Sequence, residues 1–120
     1  MVTSAGYVPD RGDAVFINMS PQAGHEQAGR RPAVVITPLS YNRKVGLAIF
    51  CPVTSQIKKY PFEVIIPIDL KIKGVVLSDQ VKSLDWKARK AEFICTLPDE
   101  VVREILRKAN TLMSVGKAEG

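Results

Sequence analysis

The sequence predicts a mainly β fold, a small and strongly bent antiparallel sheet or partly open barrel, with one α-helix packed against it at the C-terminal end. Three observations predict this. Short runs rich in Val, Ile and aromatic residues recur along the chain, separated by clusters of Pro, Gly, Asp and Asn. Only near the C-terminus do apolar residues fall at clear helical spacing. The 120 residues suffice for one modest core and leave no room for a second, so a single domain over 1–120 is expected, with its core at about 7–115.

Taken in order, residues 9–13 (Pro-Asp-Arg-Gly-Asp) form a turn, and 14–19 follow as a first strand. Residues 20–32 make a long loop, of the length that often carries function. Pro32 fixes its own φ and biases Arg31 toward an extended conformation, starting a second strand over 33–37. Residues 38–44 break the pattern as a turn, before a third strand from about 45 to 52. The polar stretch 53–56 leads to a basic hairpin tip at 57–61 and a fourth strand over 62–66. Gly74, suited to a positive φ or a bulge, opens a long strand over 75–84. Residues 85–89 allow one helical turn, and 91–96 form the last strand.

The C-terminal helix takes Thr96 as its cap, with Asp99 at capping-box spacing and Pro98 in the first turn. Val102, Ile105, Leu106, Ala109, Leu112 and Met113 line one core-facing stripe, and Gly116 ends the helix.

Composition narrows the functional classes. At 46% hydrophobic and 24% charged, the chain matches soluble globular proteins. No apolar run approaches the ~20 residues of a membrane span, and the N-terminus lacks a signal-peptide layout. A cytoplasmic protein without membrane association is expected. Cys51 and Cys95 sit in apolar runs without paired spacing and read as buried core thiols. The net charge of +5 favours acidic or polyanionic partners without naming one.

His25 is the only histidine, and no Gly-x-Ser-x-Gly elbow exists, which argues against nucleophilic side-chain catalysis. His25 and Glu26 are adjacent but no further ligand pattern appears, and Walker and Rossmann glycine patterns are missing; neither metal nor cofactor is expected. What remains is the loop Gly24-His25-Glu26-Gln27-Ala28-Gly29-Arg30-Arg31-Pro32, with Thr54, Lys58 and Lys59. A carboxylate near a guanidinium can take a proton from a hydroxyl while the guanidinium neutralises a developing phosphorane. RNA supplies that hydroxyl itself, as its 2′-OH. Thr54, brought beside Arg31 by neighbouring strands, would add a hydrogen bond to the phosphate. The same charges equally fit a surface ion pair worth ~0–1 kcal/mol. Tyr60 and Phe62 fit base stacking, though Phe62 on a strand fits the core better, and Trp86 suits a protein interface or a nucleic-acid stack.

Residues 7–13, 24–35, the triad Ser40-Tyr41-Asn42, Pro52-Val53-Thr54-Ser55, Tyr60-Pro61-Phe62-Glu63-Val64 and 79–86 together resemble the MazF/PemK family of toxins from toxin–antitoxin pairs, in order and over about 7–115. The resemblance implies an SH3-like barrel with a C-terminal helix. It also implies a sequence-specific, metal-independent endoribonuclease that cuts single-stranded mRNA by 2′-OH attack, leaving 2′,3′-cyclic phosphate and 5′-OH ends and arresting translation. The family's motif places its acid and charge stabiliser on Arg31, its threonine on Thr54 and its proposed base on Glu26. RNA contacts are expected at His25, Gln27, Arg30, Gln56, Lys58 and Lys59. The family forms homodimers, whose contacts fall on Gln80, Ser83, Leu84 and Trp86, and a cognate acidic antitoxin competes for the RNA groove. Asn18 and Ser20 depart from the acidic residues common in that first loop, which bears on the cleavage sequence. Two other readings share the scaffold: a gyrase-poisoning toxin such as those of the CcdB family, which lack the Glu-to-Arg-Pro loop, and an inactive binding module.

Overall fold

The computed structural model describes residues 6–19 and 29–115. The strands are β1 (Asp13–Asn18), β2 (Arg30–Val35), β3 (Ala48–Thr54), β4 (Glu63–Ile65), β5 (Val75–Leu77), β6 (Lys82–Leu84) and β7 (Glu92–Thr96), and the helices are α1 (Leu39–Val45) and α2 (Asp99–Met113). All strand pairs are antiparallel, in the order β4-β5-β3-β2-β1-β7 with β6 also on β3. The mainly β sheet and the C-terminal helix agree with the sequence reading. Among the described residues no helix is long and apolar enough to cross a membrane.

The centre of the sheet is β3. One of its edges pairs with β2; the other carries β6 along Ala48, Ile49 and Phe50 and then β5 along Val53 and Thr54. Because side chains alternate along a strand, each inner strand feeds two cores. Ala14, Val34, Ile36, Cys51, Val53 and Val76 pack on one face, against Val101, Val102 and Ile105 of α2. Val15, Ile17, Ala33, Val35, Phe50 and Leu84 pack on the other, beside Trp86 and Tyr7.

Several local expectations are corrected. The second strand begins at Arg30, so Pro32 lies within it. A proline is tolerated there because β3 joins β2 only from Ala33 onward, and the missing N–H leaves no broken bond on that side. The third strand continues through Thr54. The long strand over 75–84 is two strands, because a turn at Ser78 and Asp79 intervenes. Ser78, fully buried, sends both its N–H (3.0 Å) and its hydroxyl (2.5 Å) to the Phe62 carbonyl.

Residues expected as a turn over 38–44 are helix α1, closed by Gly46 at φ 82°. Tertiary bonds outweigh the weak propensity of Ser, Tyr and Asn. The buried Asn42 amide donates to the carbonyls of Pro9 (2.8 Å) and Thr37 (2.9 Å) and accepts the Thr37 hydroxyl (2.7 Å).

The cap of α2 is Pro98 rather than Thr96, and no side chain caps it. Thr96 ends β7, with its hydroxyl 3.4 Å from an Asp13 carboxylate oxygen, and Asp99 and Glu100 offset the helix dipole from the first turn. Of the apolar stripe, Val102, Ile105 and Ala109 are buried and Leu106 is half-buried, but Leu112 and Met113 are exposed. Gly116, expected to end the helix, lies outside the described residues. Cys51 is buried as expected, whereas Cys95 is half-buried.

Candidate active site

Strand register sets Arg31 and Thr54 on one face of the sheet. The β2–β3 ladder runs from Val35↔Phe50 to Ala33↔Pro52. Beyond that rung the strands part: Arg31 stays with Ile17 of β1, and Thr54 pairs with Val75 of β5. Each lies two residues past the last shared rung, so alternation sets both on the same face of the sheet, on either side of the mouth that opens there. The Arg31 side chain is exposed, and its Nη1 lies 3.4 Å from the Arg30 carbonyl. Thr54 is half-buried. Its Oγ1 accepts the Gln56 N–H at 3.2 Å, which leaves its own O–H proton to donate elsewhere.

Two features hold Thr54 in place. Its main chain belongs to the ladder with β5, and Gly74, just before β5, comes close to it. A Cβ on Gly74 would lie 2.1 Å from the Thr54 carbonyl oxygen, and Gly74 has φ 113°, so the positive φ expected there is present.

Arg30 behaves differently from its neighbour. Its guanidinium reaches the carbonyls of Phe16 (3.3 Å) and Lys90 (3.1 Å), the Asn18 side chain (3.4 Å) and Glu92 in an ion pair of 3.2 Å. These bonds staple β2 to β1 and β7, and so commit its donors within the fold.

Lys58 and Lys59 lie on the exposed loop between β3 and β4, at the site where a basic hairpin tip was expected. Their N–H groups donate to the Glu63 carboxylate, each at 3.0 Å. Gln56, Lys58, Tyr60, Glu63, Leu77 and Gln80 line one pocket of about 180 Å³. Tyr60 stacks at a tilt against Phe62, 5.9 Å between ring centres, and donates its hydroxyl to Asp79. That bond, with the nearby carboxylates of Asp79 and Glu63, raises the Tyr60 phenol above its ordinary value. Phe62 is half-buried.

Of the residues expected at a dimer contact, Gln80 and Ser83 are exposed, and Gln80 shares the pocket with Gln56 and Lys58. Leu84 is buried within the second core. Trp86 is half-buried on the same core and donates its indole N–H to the Asn42 carbonyl at 3.1 Å. His25, Glu26 and Gln27 lie outside the described residues. The structure therefore sets Arg31 and Thr54 on one face of the sheet, just beyond the β2–β3 ladder, and lines one pocket with Gln56, Lys58 and Gln80. The sequence reading missed Glu63 and Asp79; a lone acid inside the apolar run 62–66 was the available signal for the first.

A bent antiparallel sheet whose central strands stop pairing at an exposed arginine and a threonine, with a lysine-bearing loop following the threonine, defines a small basic β protein with a polar, positively charged end to its central strands. The chain belongs to the family described as PemK-like, MazF-like toxin of type II toxin-antitoxin system, which matches residues 10–113. It is 46% identical over 107 residues to the endoribonuclease toxin MazF of Escherichia coli strain K12, covering 89% of this chain and 96% of that protein. Among solved structures it is similar to MazF of Deinococcus radiodurans in its first crystal form (TM-score 0.81, 51% identity, 89% of this chain and 97% of that one). It also matches a MazE–MazF structure from the same organism (TM-score 0.84, 50% identity, 92% and 99%).

Proposed function

We propose that the protein is the endoribonuclease toxin of a type II toxin–antitoxin pair, cutting single-stranded mRNA without a metal and so arresting translation. The observation that carries this reading is the position of Arg31 and Thr54 across the mouth where β2 and β3 part. RNA laid across that mouth presents its scissile phosphate to both. In the reaction, the 2′-OH oxygen attacks the adjacent phosphorus while Glu26 takes its proton. Arg31 neutralises the charge gathering on the phosphorane and, as the acid, passes a proton to the departing 5′ oxygen, regaining one from solvent afterwards, while the Thr54 hydroxyl donates a hydrogen bond to a non-bridging oxygen. The P–O5′ bond breaks, giving a 2′,3′-cyclic phosphate and a 5′-OH. Gln56, Lys58 and Lys59 grip the flanking nucleotides, with His25 and Gln27 as further contacts. Arg30, tied to Glu92 and three other groups, supports the strand that carries Arg31 more than it contacts RNA.

The relatives support the reading: the Escherichia coli protein is named an endoribonuclease toxin, and a Deinococcus radiodurans neighbour is a MazE–MazF structure. By the same likeness this chain acts as a cytoplasmic homodimer through the segment of Gln80, Ser83, Leu84 and Trp86. It is held off by a cognate antitoxin, whose acidic segment competes with RNA for the basic groove.

The experiment is incubation of a mixed-sequence RNA with the protein in excess EDTA, followed by sequencing and end analysis of the fragments. Cleavage at a short recurring sequence, with cyclic phosphate ends, is expected. Intact RNA refutes the reading and returns the gyrase-poison and binding-module alternatives, whereas cleavage that requires added metal refutes the mechanism.

A further inference from the structure

We propose that Glu63 is a positioning residue for RNA binding, whose buried carboxylate presets the loop carrying Lys58 and Lys59. The inference rests on the reading that these lysines contact RNA, and it adds the device that holds them.

Glu63 is a carboxylate almost closed to solvent, at 8% exposed, yet no cationic side chain neutralises it at ion-pair distance among the described residues. Its two oxygens are spent on main chain instead: Oε2 accepts the Lys58 N–H and Oε1 the Lys59 N–H, both at 3.0 Å. Lys59 has φ 59°, a left-handed conformation that a lysine adopts only under local compulsion. Successive N–H groups beside a left-handed residue form a concavity that binds anions, and phosphate is a common occupant of such sites. Here the chain fills the concavity with its own carboxylate. Phosphate is thereby kept off the main chain, and the two ammonium side chains stay exposed on a loop whose backbone is already set.

The loop is tied at further points. The Glu63 N–H donates to the Tyr60 carbonyl at 3.0 Å, and the Glu63 carbonyl accepts Lys108 Nζ of α2 at 3.0 Å. Tyr60 is held in turn by Asp79. From β4, Glu63 therefore fixes the loop relative to both α2 and the β5–β6 turn. A loop fixed before RNA arrives is not ordered at the expense of binding, so its anchor acts on KM and leaves the phosphate chemistry alone.

The test is steady-state cleavage of a short RNA substrate at several salt concentrations, with amide exchange read at Lys58 and Lys59. Lys58→Ala and Lys59→Ala test the underlying reading: each is expected to raise KM and to flatten its salt dependence. Glu63→Gln tests the anchor. It is expected to speed exchange at both amides, raise KM about tenfold and leave kcat within about twofold, with little further rise when combined with the lysine variants. Glu63→Asp, which keeps the charge, is expected to recover part of the loss. If the lysine variants change nothing, the reading fails and the proposal with it. If they raise KM while Glu63→Gln does not, or the effects simply add, the proposal alone is overturned. Should Glu63→Gln not fold, the wild-type protein decides: amide protection at 58 and 59 unchanged by an uncleavable 2′-deoxy oligonucleotide supports a preset loop, and a large gain on binding refutes it.

Discussion

Arg31 and Thr54 lie at equivalent steps beyond the last rung of one antiparallel ladder, two residues past Ala33 on β2 and two past Pro52 on β3. The parting of two strands that are paired up to that point creates the opening, and each side chain is carried on a strand with a second partner, β1 for Arg31 and β5 for Thr54. Such a pair is held on rigid elements, which suits groups that must meet a phosphate in one geometry.

Arg31→Ala and Thr54→Ala are each expected to lower kcat for RNA cleavage by at least about 10²-fold, with thermal unfolding and oligomeric state unchanged. Both side chains lie outside the two cores, so loss of folding is not the expected cause. Single-turnover cleavage with saturating enzyme measures the chemical step directly. A near-normal rate in either variant removes that residue from the mechanism.

Gly74→Ala is expected to damage both stability and cleavage. The new Cβ would have to clear the Thr54 carbonyl oxygen from 2.1 Å in a backbone of φ 113°. The conformation alone costs about 1–3 kcal/mol, and relief of the contact must shift Thr54 or β5. Urea unfolding and cleavage rate should fall together, and a stable variant with full activity would show that Thr54 tolerates displacement.

Asn42→Ala separates stability from activity. Its amide makes three bonds in a site closed to solvent, and truncation strands the Pro9 and Thr37 carbonyls. A loss of about 2–4 kcal/mol in unfolding free energy is expected. Cleavage measured well below the lowered melting temperature should match the wild type, since α1 lies away from the mouth between β2 and β3.

Stability should decline in alkali. Burial, with the Asp79 charge in second place, pushes the Cys51 thiol up to about 12, and burial with the Asp13 bond raises the Tyr7 phenol as well. Both groups are neutral in the folded protein at pH values where the unfolded chain would ionise them. Their contribution is complete below the unfolded thiol and phenol values near 9 and 10, and is lost as pH rises from there toward the folded values. Unfolding free energy should therefore fall between about pH 9 and 12, and Cys51 should resist alkylation at pH 8 until the protein is unfolded. Rapid labelling of native Cys51 would contradict this.

The strands were legible because β-branched runs and turn residues carry their signal locally, as does the apolar face of α2 from Val102 to Ala109. Helix α1 was not, since it depends on Asn42 reaching Pro9, distant in sequence. The break at Ser78 was hidden for the same reason: its partner is Phe62. In the site, Arg31 and Thr54 could be named from motifs, but their common face follows from a register that only pairing reveals. The sequence places Arg30 among the RNA contacts, and its bonds to Phe16, Lys90 and Glu92, all distant in sequence, could not be seen from the motif.

Pairing with β2 on one edge and with both β6 and β5 on the other gives β3 an evolutionary meaning. A slip of β3 by one residue would exchange its two cores, unpair it from β5 and β6 together and turn Thr54 away, so intermediates on that route do not fold. The loops on either side face no such barrier. On the proposed reading, a lineage can thus alter what its RNA grip reads, by drift at Gln56, Lys58 or Lys59, while Arg31 and Thr54 are inherited unchanged.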